Sequence, residues 1–379
     1  GHQFFDNLVI LQLQLQKQTQ GIHSHKTTVL STSYLNMHSS FVPYRVAADY
    51  LTKLLEAADL PLPVVGVICG SGLSGLSKTL EGKKLTVPYK DIPGFPSKTT
   101  VQGHSGELVF GMLSGVPAIC FRGRFHTYEG HAPKTVVLPV NVMRCLDVRI
   151  CIITNAAGGL NPDYNVGDVV AVSDHLAIPN LAGNSALVGP NDEELGPRFP
   201  STSDAYPESL RGTAAKAAKE LGINYLRSHG TYAFVVGPMY ESKAECRFLR
   251  TLGADAVGMS TIPEVVVAHH CGMNVLCLSL ITNKAVMEGD EGEAVANHAE
   301  VLEVAVKRAG EMQTLVQKIV ELIKRDVIPS LAPSRKISLA VSEEDLVTVK
   351  PTGVSTLQSM ALACTLVGLG IFIGMKQRR

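Results

Sequence analysis

The chain has 379 residues, of which 45% are hydrophobic and 18% charged, and 34 Lys and Arg balance 34 Asp and Glu. This is the composition of an ordinary globular protein, and its zero net charge gives no reason to expect nucleic acid or a strongly charged surface as a partner. The eight cysteines form no CxxC pair and most lie in apolar runs. They argue against a disulfide framework and favour buried, reduced thiols of an intracellular protein.

The first segment, residues 1–40, differs from the rest of the chain. It begins without a methionine and joins the run LQLQLQKQTQ to a stretch rich in Ser, Thr and His. A secretory or transit peptide fits poorly, because the segment has no arginine, no long apolar region and no cleavage-like site. We predict a disordered N-terminal extension, with the native start near Met37.

The central segment, residues 41–325, alternates between short apolar runs and stretches whose apolar residues recur at three and four. This alternation predicts one α/β domain with a mixed central β-sheet flanked by helices, in which ligands gather at the carboxyl ends of the strands. The predicted strands are residues 64–69, 117–121, 148–154, 168–172 and 274–280. The predicted helices are residues 44–59, 134–146, 207–221, 241–252, 262–271 and 294–324.

A glycine-rich loop follows the first predicted strand, with the sequence GSGLSG at residues 70–75. It matches the dinucleotide pattern GxGxxG, and Asp91 lies at a suitable distance for a ribose contact. The context does not fit, because only LSKTLEG is available as a crossover helix and Asp91 enters a Pro-rich loop. A loop whose backbone N–H groups and Ser71 hydroxyl face a bare phosphate fits better, and a tight turn without a ligand is the alternative.

A second polar cluster, RFHTYEGH at residues 124–131, follows another apolar run. A metal site fits it poorly. His126 and His131 are five residues apart, Gly130 favours a loop, and the nearby Cys120 lies inside an apolar strand. We therefore expect no metal here.

The same cluster suits an anion and a sugar. Arg124 can bind a phosphate with two hydrogen bonds, and His126 can donate another. Glu129 can orient these groups, and Tyr128 offers a hydroxyl to a polyol. A surface loop with a satisfied salt bridge is the less specific alternative.

The chain ends in a predicted linker at residues 326–350 and an apolar tail at residues 351–379. Residues 357–375 are strongly apolar, uncharged and followed by Lys-Gln-Arg-Arg. About 20 apolar residues span a bilayer, so the tail is a possible membrane anchor that would leave the catalytic domain in the cytosol. A helix that docks on the protein or on an oligomer partner is the alternative.

Eight segments together resemble the trimeric purine nucleoside phosphorylase family, in that family's order and spacing. The resemblance extends over residues 41–325 and falls on the branch that acts on 6-oxopurine nucleosides. It implies a cytoplasmic homotrimeric pentosyltransferase of purine salvage, with phosphate as co-substrate and no metal or organic cofactor. The segments are GSGLSGL (70–76), GHSGELVFG (103–111), RFHTYEGH (124–131), TNAAGGLNP (154–162), GPMYES (237–242), GADAVGMSTIPEV (253–265), SLITNKA (279–285) and ANHAEVL (296–302).

The resemblance also implies a role for each matching residue. The phosphate ligands would be Ser71, His104, Arg124, His126, Ala156 through its N–H, and Ser260. The nucleoside would contact Tyr128, Tyr232, Met259 and His298 at the ribose, and Tyr240, Glu241, Thr282 and Asn283 at the purine. The catalytic set would be Asn283, Glu241, His126 and Glu129.

The chemistry of the residues supports these roles. A carboxylate such as Glu241 accepts a hydrogen bond from N1–H of a 6-oxopurine, and Asn283 can donate to N7 or O6 as the base leaves with negative charge. Taken singly, each has a plainer interpretation. Met259 suits a core, His298 a helix face, Glu241 a helix cap and Asn283 a turn.

The sequence departs from the family pattern at four positions, of which Ser74 replaces a loop glycine and Ala285 the usual valine, and two rival functions are considered. Tyr240 stands where the family often has phenylalanine, and Leu195 where a neighbouring subunit often lends a phenylalanine to the sugar. A 5'-methylthioadenosine phosphorylase is the nearest rival, but Asn283 and the polar His298 favour the 6-oxopurine branch. A catalytically silent, membrane-tethered binding protein is the other.

Overall fold

The computed structural model describes residues 42–97, 101, 105–287, 297–334 and 336–340. A mixed sheet of eleven strands lies at the centre of the fold. The strands are β1 (Val65–Cys69), β2 (Glu81–Pro88), β3 (Glu107–Leu113), β4 (Val116–Arg122), β5 (Ile150–Gly159), β6 (Val169–Ala171), β7 (Asp174–Ala177), β8 (Leu226–Arg227), β9 (Thr231–Phe234), β10 (Ala256–Gly258) and β11 (Asn274–Lys284). The helices are α1 (Val42–Ala57), α2 (Pro133–Val136), α3 (Leu138–Cys145), α4 (Ile178–Leu181), α5 (Glu208–Glu220), α6 (Lys243–Thr251), α7 (Ile262–His270) and α8 (His298–Asp326).

The strands pair in the order β2-β3-β4-β1-β5-β10-β9-β7, and β11 joins β5 to β6 and through it to β8. The four central strands β4, β1, β5 and β11 are mutually parallel. The pairs β2–β3, β3–β4, β5–β10 and β6–β11 are antiparallel, so the sheet is mixed, as the sequence predicts. Because the parallel strands end at one edge, the loops that follow them come together there.

Two helical layers cover the two faces of the sheet, and alternate residues of β5 show why. Cys151 and Ile153 pack into one core with helices α1, α3 and α7. Ile150 and Ile152 point the other way, into a core with helices α5 and α8. Successive strand residues face opposite sides, so a strand that is apolar throughout is buried on both.

The predicted helices are present, with one difference. Val137 and Pro139 divide the predicted helix at residues 134–146 into α2 and α3. The six strands β2, β3 and β7–β10 are absent from the sequence-based prediction. Most of β2 is exposed, and β7–β10 have only two to four residues, so no apolar run marks them. The sequence of β3, ELVFGML, is an apolar run that the prediction overlooked.

The C-terminal part of the described chain packs against the domain. After α8 and a turn at Ile328–Ser330, Ile337 is buried in the core beside α1. Arg149 donates to the carbonyl of Ala332, and Arg45 to that of Ser338. At least to residue 340, the predicted linker is thus attached to the domain.

In the described ranges, no helix combines the length and the apolar character needed to cross a membrane. Three predictions concern residues outside those ranges: the N-terminal extension at residues 1–40, the apolar tail at residues 357–375, and His104.

Candidate active site

A cleft of about 320 Å³ opens at the edge where the central parallel strands end. Its volume lies at the lower end of the range for small-molecule sites, about 300–1,000 Å³. Twelve of the residues proposed from the sequence line it: Ser71, Arg124, His126, Tyr128, Ala156, Tyr240, Glu241, Met259, Ser260, Thr282, Asn283 and His298. The structure therefore brings one cluster together from seven of the eight segments.

The glycine loop enters the cleft directly from β1. Gly70 lies so close to β5 that a Cβ there would come within 2.6 Å of the carbonyl oxygen of Thr154, so only glycine fits. Its N–H donates to the Thr154 hydroxyl at 3.1 Å, and Ser71 then lines the cleft. A 3₁₀ helix at Ser74–Thr79 follows instead of a crossover α-helix, which fits an anion loop better than a dinucleotide fold.

Arg124 lies at the base of the cleft with only 2% of its surface exposed. Its Nη1 donates to the hydroxyls of Ser260 at 2.8 Å and Thr261 at 2.9 Å, and its Nη2 donates to the Thr154 carbonyl at 2.7 Å. The carboxylate of Glu264 lies 3.5 Å from Nε. Burial raises the pKa of Glu264, and the Arg124 charge opposes that rise. These contacts fix a buried cation that an anion in the cleft can reach.

His126 and Tyr128 stack at the side of the cleft, with ring centroids 4.5 Å apart and 17° between the ring planes. Glu129 does not line the cleft. Its carboxylate lies behind His126 and accepts hydrogen bonds from the His126 backbone N–H and ring Nδ1. Burial lowers the pKa of His126, and the Glu129 hydrogen bond partly offsets that effect. Glu129 thus positions the imidazole rather than contacting a ligand.

Glu241 also lines the cleft, next to the start of α6. The helix is capped by Ser242, which forms a capping box with Glu245, so the plainer interpretation of Glu241 as the cap does not hold. The Oε1 of Glu241 is buried and has no hydrogen-bond partner within the described ranges. Burial also raises the pKa of this carboxyl. A buried acceptor without a partner is costly unless a ligand supplies the donor.

Asn283 enters the cleft from β11, where the pairing with β5 shifts register between Ile281 and Asn283. Such irregularities are frequent beside active sites, because they turn a side chain away from the strand's normal alternation. The hydroxyl of Thr282 donates to Asn283 Oδ1 at 3.2 Å. Nδ2 donates one of its two protons to the Lys284 carbonyl at 3.3 Å, so the second Nδ2 proton is the one available to a ligand.

One expectation differs from the geometry. Tyr232 does not line the cleft. It is fully buried, and its hydroxyl lies behind Gly258, where an added Cβ would come within 2.2 Å of it. Leu195, a departure from the family's intersubunit phenylalanine, is 8% exposed and packs into the protein's own core. Phe199, four residues later, is 87% exposed.

Three buried polar residues were missed from the sequence: Asn155, which lines the cleft, and Thr261 and Glu264, which lie behind it. Each lies beside a proposed site residue within TNAAGGLNP or GADAVGMSTIPEV. A polar residue inside an otherwise apolar strand, as at Asn155, is the signal that could have identified the first. Among the described residues, no group of three or more His, Cys, Asp or Glu side chains is arranged to hold a metal ion.

The fold and the cleft define a phosphorylase of the nucleoside type, and comparison with known proteins agrees. The family model described as "Phosphorylase superfamily" matches residues 64–321. The purine nucleoside phosphorylase of Mus musculus is 48% identical over 284 residues, which cover 75% of this chain and 96% of the mouse protein.

Two solved structures from Schistosoma are also similar to this chain, and both are purine nucleoside phosphorylases. A purine nucleoside phosphorylase of Schistosoma mansoni in complex with inosine has a TM-score of 0.69 and 45% identity, covering 74% of this chain and 95% of that chain. A Schistosoma purine nucleoside phosphorylase in complex with guanosine has a TM-score of 0.68 and 44% identity, and the match covers 74% of this chain and 96% of that chain. The present chain belongs to the purine nucleoside phosphorylase family.

Proposed function

We propose that this protein catalyses the reversible phosphorolysis of 6-oxopurine ribonucleosides and deoxyribonucleosides such as inosine and guanosine. The products are the free purine base and (deoxy)ribose 1-phosphate. The observation that supports this most directly is one cleft lined both by the buried cation of Arg124 and by Glu241, whose Oε1 has no hydrogen-bond partner among the described residues. Complexes of related enzymes with inosine and with guanosine agree with it.

The reaction needs phosphate next to C1′ of the sugar. The proposed phosphate-site residues line the cleft: Ser71, Arg124 and Ser260 follow β1, β4 and β10, and Ala156 lies within β5. Together they supply hydrogen-bond donors and a positive charge. A phosphate oxygen forms a bond to C1′ while the C1′–N9 bond breaks, and its electron pair goes to the purine. Phosphate charge near an electron-poor C1′ stabilises the transition state.

The base end of the cleft would stabilise the leaving purine. Glu241 accepts from N1–H of a 6-oxopurine, and Asn283 donates through Nδ2 to N7 or O6, where negative charge accumulates. Tyr240 lies over the base and is 38% exposed, so it can move as the substrate enters. Tyr128, Met259 and His298 line the part of the cleft that remains for the ribose. Most of the acceleration then comes from positioning and electrostatics.

An assay of inosine, guanosine, adenosine and 5'-methylthioadenosine, each with and without phosphate, tests the proposal. We expect phosphate-dependent release of hypoxanthine and guanine and much slower release of adenine. Preference for methylthioadenosine would favour the 5'-methylthioadenosine phosphorylase. Release of no base from any of the four would refute an enzymatic function and favour a silent binding protein.

We also propose that the protein is a homotrimer. The family resemblance implies this state, and Phe199, on the loop before α5, offers a neighbouring copy an apolar side chain that is 87% exposed. Light scattering on the purified full chain should give a mass three times that of one chain. A monomeric mass together with full activity would contradict the proposal.

The association of residues 357–375 with a membrane remains a proposal, supported by their apolar, uncharged sequence. Carbonate extraction of cell membranes should retain the full chain in the pellet and release a chain that ends at Ala340. Equal extraction of both would contradict an anchor. Ala340 is the better end point than Asp326, because the residues between them pack on the domain.

A further inference from the structure

We propose that Thr261 is a positioning residue of the phosphate site: its hydroxyl holds Arg124 and turns the hydroxyl proton of Ser260 toward the bound phosphate. The inference rests on the proposed function, because it assigns phosphate to this end of the cleft. It concerns a side chain that lies behind Ser260 and does not itself line the cleft.

The backbone of Thr261 is strained. Its dihedral angles are φ 79° and ψ −53°, and the N–H of Ile262 donates to the carbonyl of Ser260 at 2.9 Å. This is a γ-turn with positive φ at its central residue, a conformation that is rare and unfavourable for a β-branched side chain. A strained residue of this kind persists only where its surroundings require the conformation.

Helix capping does not explain why a residue with a hydroxyl group stands at position 261. Thr261 precedes α7, at a position where a threonine hydroxyl usually accepts from the second or third helical N–H. Here the side chain makes no such bond, and the second helical residue is Pro263, which has no N–H. The helix engages the Thr261 backbone: its carbonyl accepts from Val265 N–H at 2.9 Å, and its N–H donates to the Glu264 carboxylate. The hydroxyl is directed at Arg124 instead.

The hydrogen bonds around Thr261 fix the direction of each proton. A threonine hydroxyl can accept two hydrogen bonds and donate one. Arg124 Nη1 and Asn155 Nδ2 both donate to Thr261 Oγ1, each at 2.9 Å. The Thr261 proton is therefore directed to Ser260 Oγ, 3.1 Å away.

The hydrogen bonds that the Ser260 hydroxyl accepts and donates can be counted in the same way. Its Oγ accepts from Thr261 and from Arg124 Nη1, the latter at 2.8 Å, so both of its acceptor positions are occupied. The remaining proton points away from Arg124 and Thr261. This proton can reach the Tyr232 hydroxyl beside Ser260 or, because Ser260 lines the cleft, the space assigned to phosphate, whose charged oxygens are the stronger acceptors. Without the Thr261 hydroxyl, Ser260 can rotate and Arg124 loses one of its fixed contacts.

The Thr261→Val variant removes the hydroxyl and keeps the shape of the side chain. We expect KM for phosphate to rise about tenfold, the effect of losing one hydrogen bond to a charged group, while KM for inosine stays within about twofold. Thr261→Ser keeps the hydroxyl and should retain most of the phosphate affinity. Thr213→Val is the matched control, because Thr213 is a buried threonine on α5 whose hydroxyl bonds only Ser209 of its own helix among the contacts described.

Calorimetric titration with inorganic phosphate separates this inference from the proposed function. If the unmodified protein binds phosphate but releases no base, the function is wrong and the binding data on Thr261→Val still decide the inference. Unchanged phosphate affinity in Thr261→Val, or an equal loss in Thr261→Ser, would overturn it. A double-mutant cycle with Ser260→Ala should give less than additive losses, and additive losses would also count against it. Thr261→Ala replaces the valine variant if that variant does not fold.

Discussion

Oε2 of Glu129 lies 3.0 Å from the ring Nδ1 of His126 and 3.0 Å from its backbone N–H. An ionised carboxylate only accepts hydrogen bonds, so the His126 Nδ1 carries a proton and the ring is held in one tautomer and one orientation. The other ring nitrogen, Nε2, is then the group that changes protonation. The ring lies in the cleft, so this pair links a side chain outside the cleft to the chemistry inside it.

Replacing Glu129 by glutamine should weaken phosphate binding specifically. We expect KM for phosphate to rise about tenfold, because a supporting residue behind a site residue typically has effects of this size. The Glu129 hydrogen bond raises the pKa of His126, so its loss lowers that pKa further. The loss of phosphate affinity with rising pH should therefore begin at a lower pH. Steady-state kinetics across a pH series measures both effects.

Glu107→Gln provides the control for this variant. Glu107 also pairs with a basic side chain, that of Arg122, but it does not line the cleft. Its replacement should leave both KM values unchanged. An unaltered phosphate KM in Glu129→Gln, with only its thermal stability changed, would reduce Glu129 to a structural role.

Replacing Glu241 by glutamine should remove activity without lowering stability. Its buried Oε1 has no partner in the described residues, and burial raises its pKa, so the ionised carboxylate is held there at a cost to the folded state. We expect kcat/KM for inosine and guanosine to fall by about 100-fold. The glutamine amide N–H group and the purine N1–H are both donors, so the two can no longer pair. Thermal unfolding of the ligand-free variant should occur at the same temperature or a higher one. A loss of stability parallel to the loss of activity would mean that Glu241 is structural.

Asn283→Asp should change which base is accepted. The Thr282 hydroxyl engages the side-chain oxygen, and the Nδ2 proton that does not go to the Lys284 carbonyl can be donated to a 6-oxopurine. A carboxylate there offers an acceptor that suits a 6-amino group and repels the negative O6. We expect the ratio of inosine to adenosine kcat/KM to fall at least about tenfold, since a mismatched polar contact costs of this order. Competition between the two nucleosides measures the ratio, and an unchanged preference would exclude Asn283 from base recognition.

The sequence predicts this site far better than it predicts the sheet around it. Apolar runs such as residues 148–154 mark strands buried on both faces, and these form the centre of the sheet. The edge strand Glu81–Pro88 is mostly exposed and depends on pairing with Glu107–Leu113, a contact that no local pattern records. The resemblance identified the residues that face the cleft, because they lie within its motifs.

The direction of each side chain could not be predicted from the sequence. Tyr232 and Glu129 lie within or beside suitable segments, yet both are behind the wall of the cleft. Leu195 and Phe199 are four residues apart in one loop, and only the packing shows which is buried. The role of Thr261 depends on a positive φ and on hydrogen-bond partners distant in sequence.

Stability should fall as the pH drops below about 6.5, the usual pKa of histidine. Burial lowers the pKa of His126, His175 and His270 in the folded protein. Between each lowered value and 6.5 the unfolded chain binds more protons, so acidification favours unfolding, by at most about 1.4 kcal/mol per pH unit for each histidine. Urea unfolding at a series of pH values measures the slope.

His175 allows a test of this pH dependence away from the cleft. Its Nδ1 lies 2.9 Å from the Tyr206 hydroxyl, outside the residues that line the site. His175→Gln should reduce the slope of stability against pH between about 5 and 6.5. The same slope in variant and unmodified protein would show that His175 is not one of the groups responsible.

The segment that follows α8 should stabilise the catalytic domain. Ile337 is 8% exposed and lies in the core beside α1, and Arg45, Arg149 and Arg144 hold residues 332–338 through hydrogen bonds. Removing everything after Asp326 exposes the apolar surface that Ile337 covers. We expect this truncation to lower the free energy of unfolding by about 2 kcal/mol, the value of burying one large aliphatic side chain.

A chain that ends at Ala340 keeps all of these contacts and should be as stable as the full chain. Ile337→Ala within that shorter chain should reproduce most of the loss, which separates the packing of one side chain from the presence of the segment. Urea unfolding of the three proteins gives the comparison. Equal stability of the Asp326 and Ala340 truncations would show that the segment rests on the domain without stabilising it.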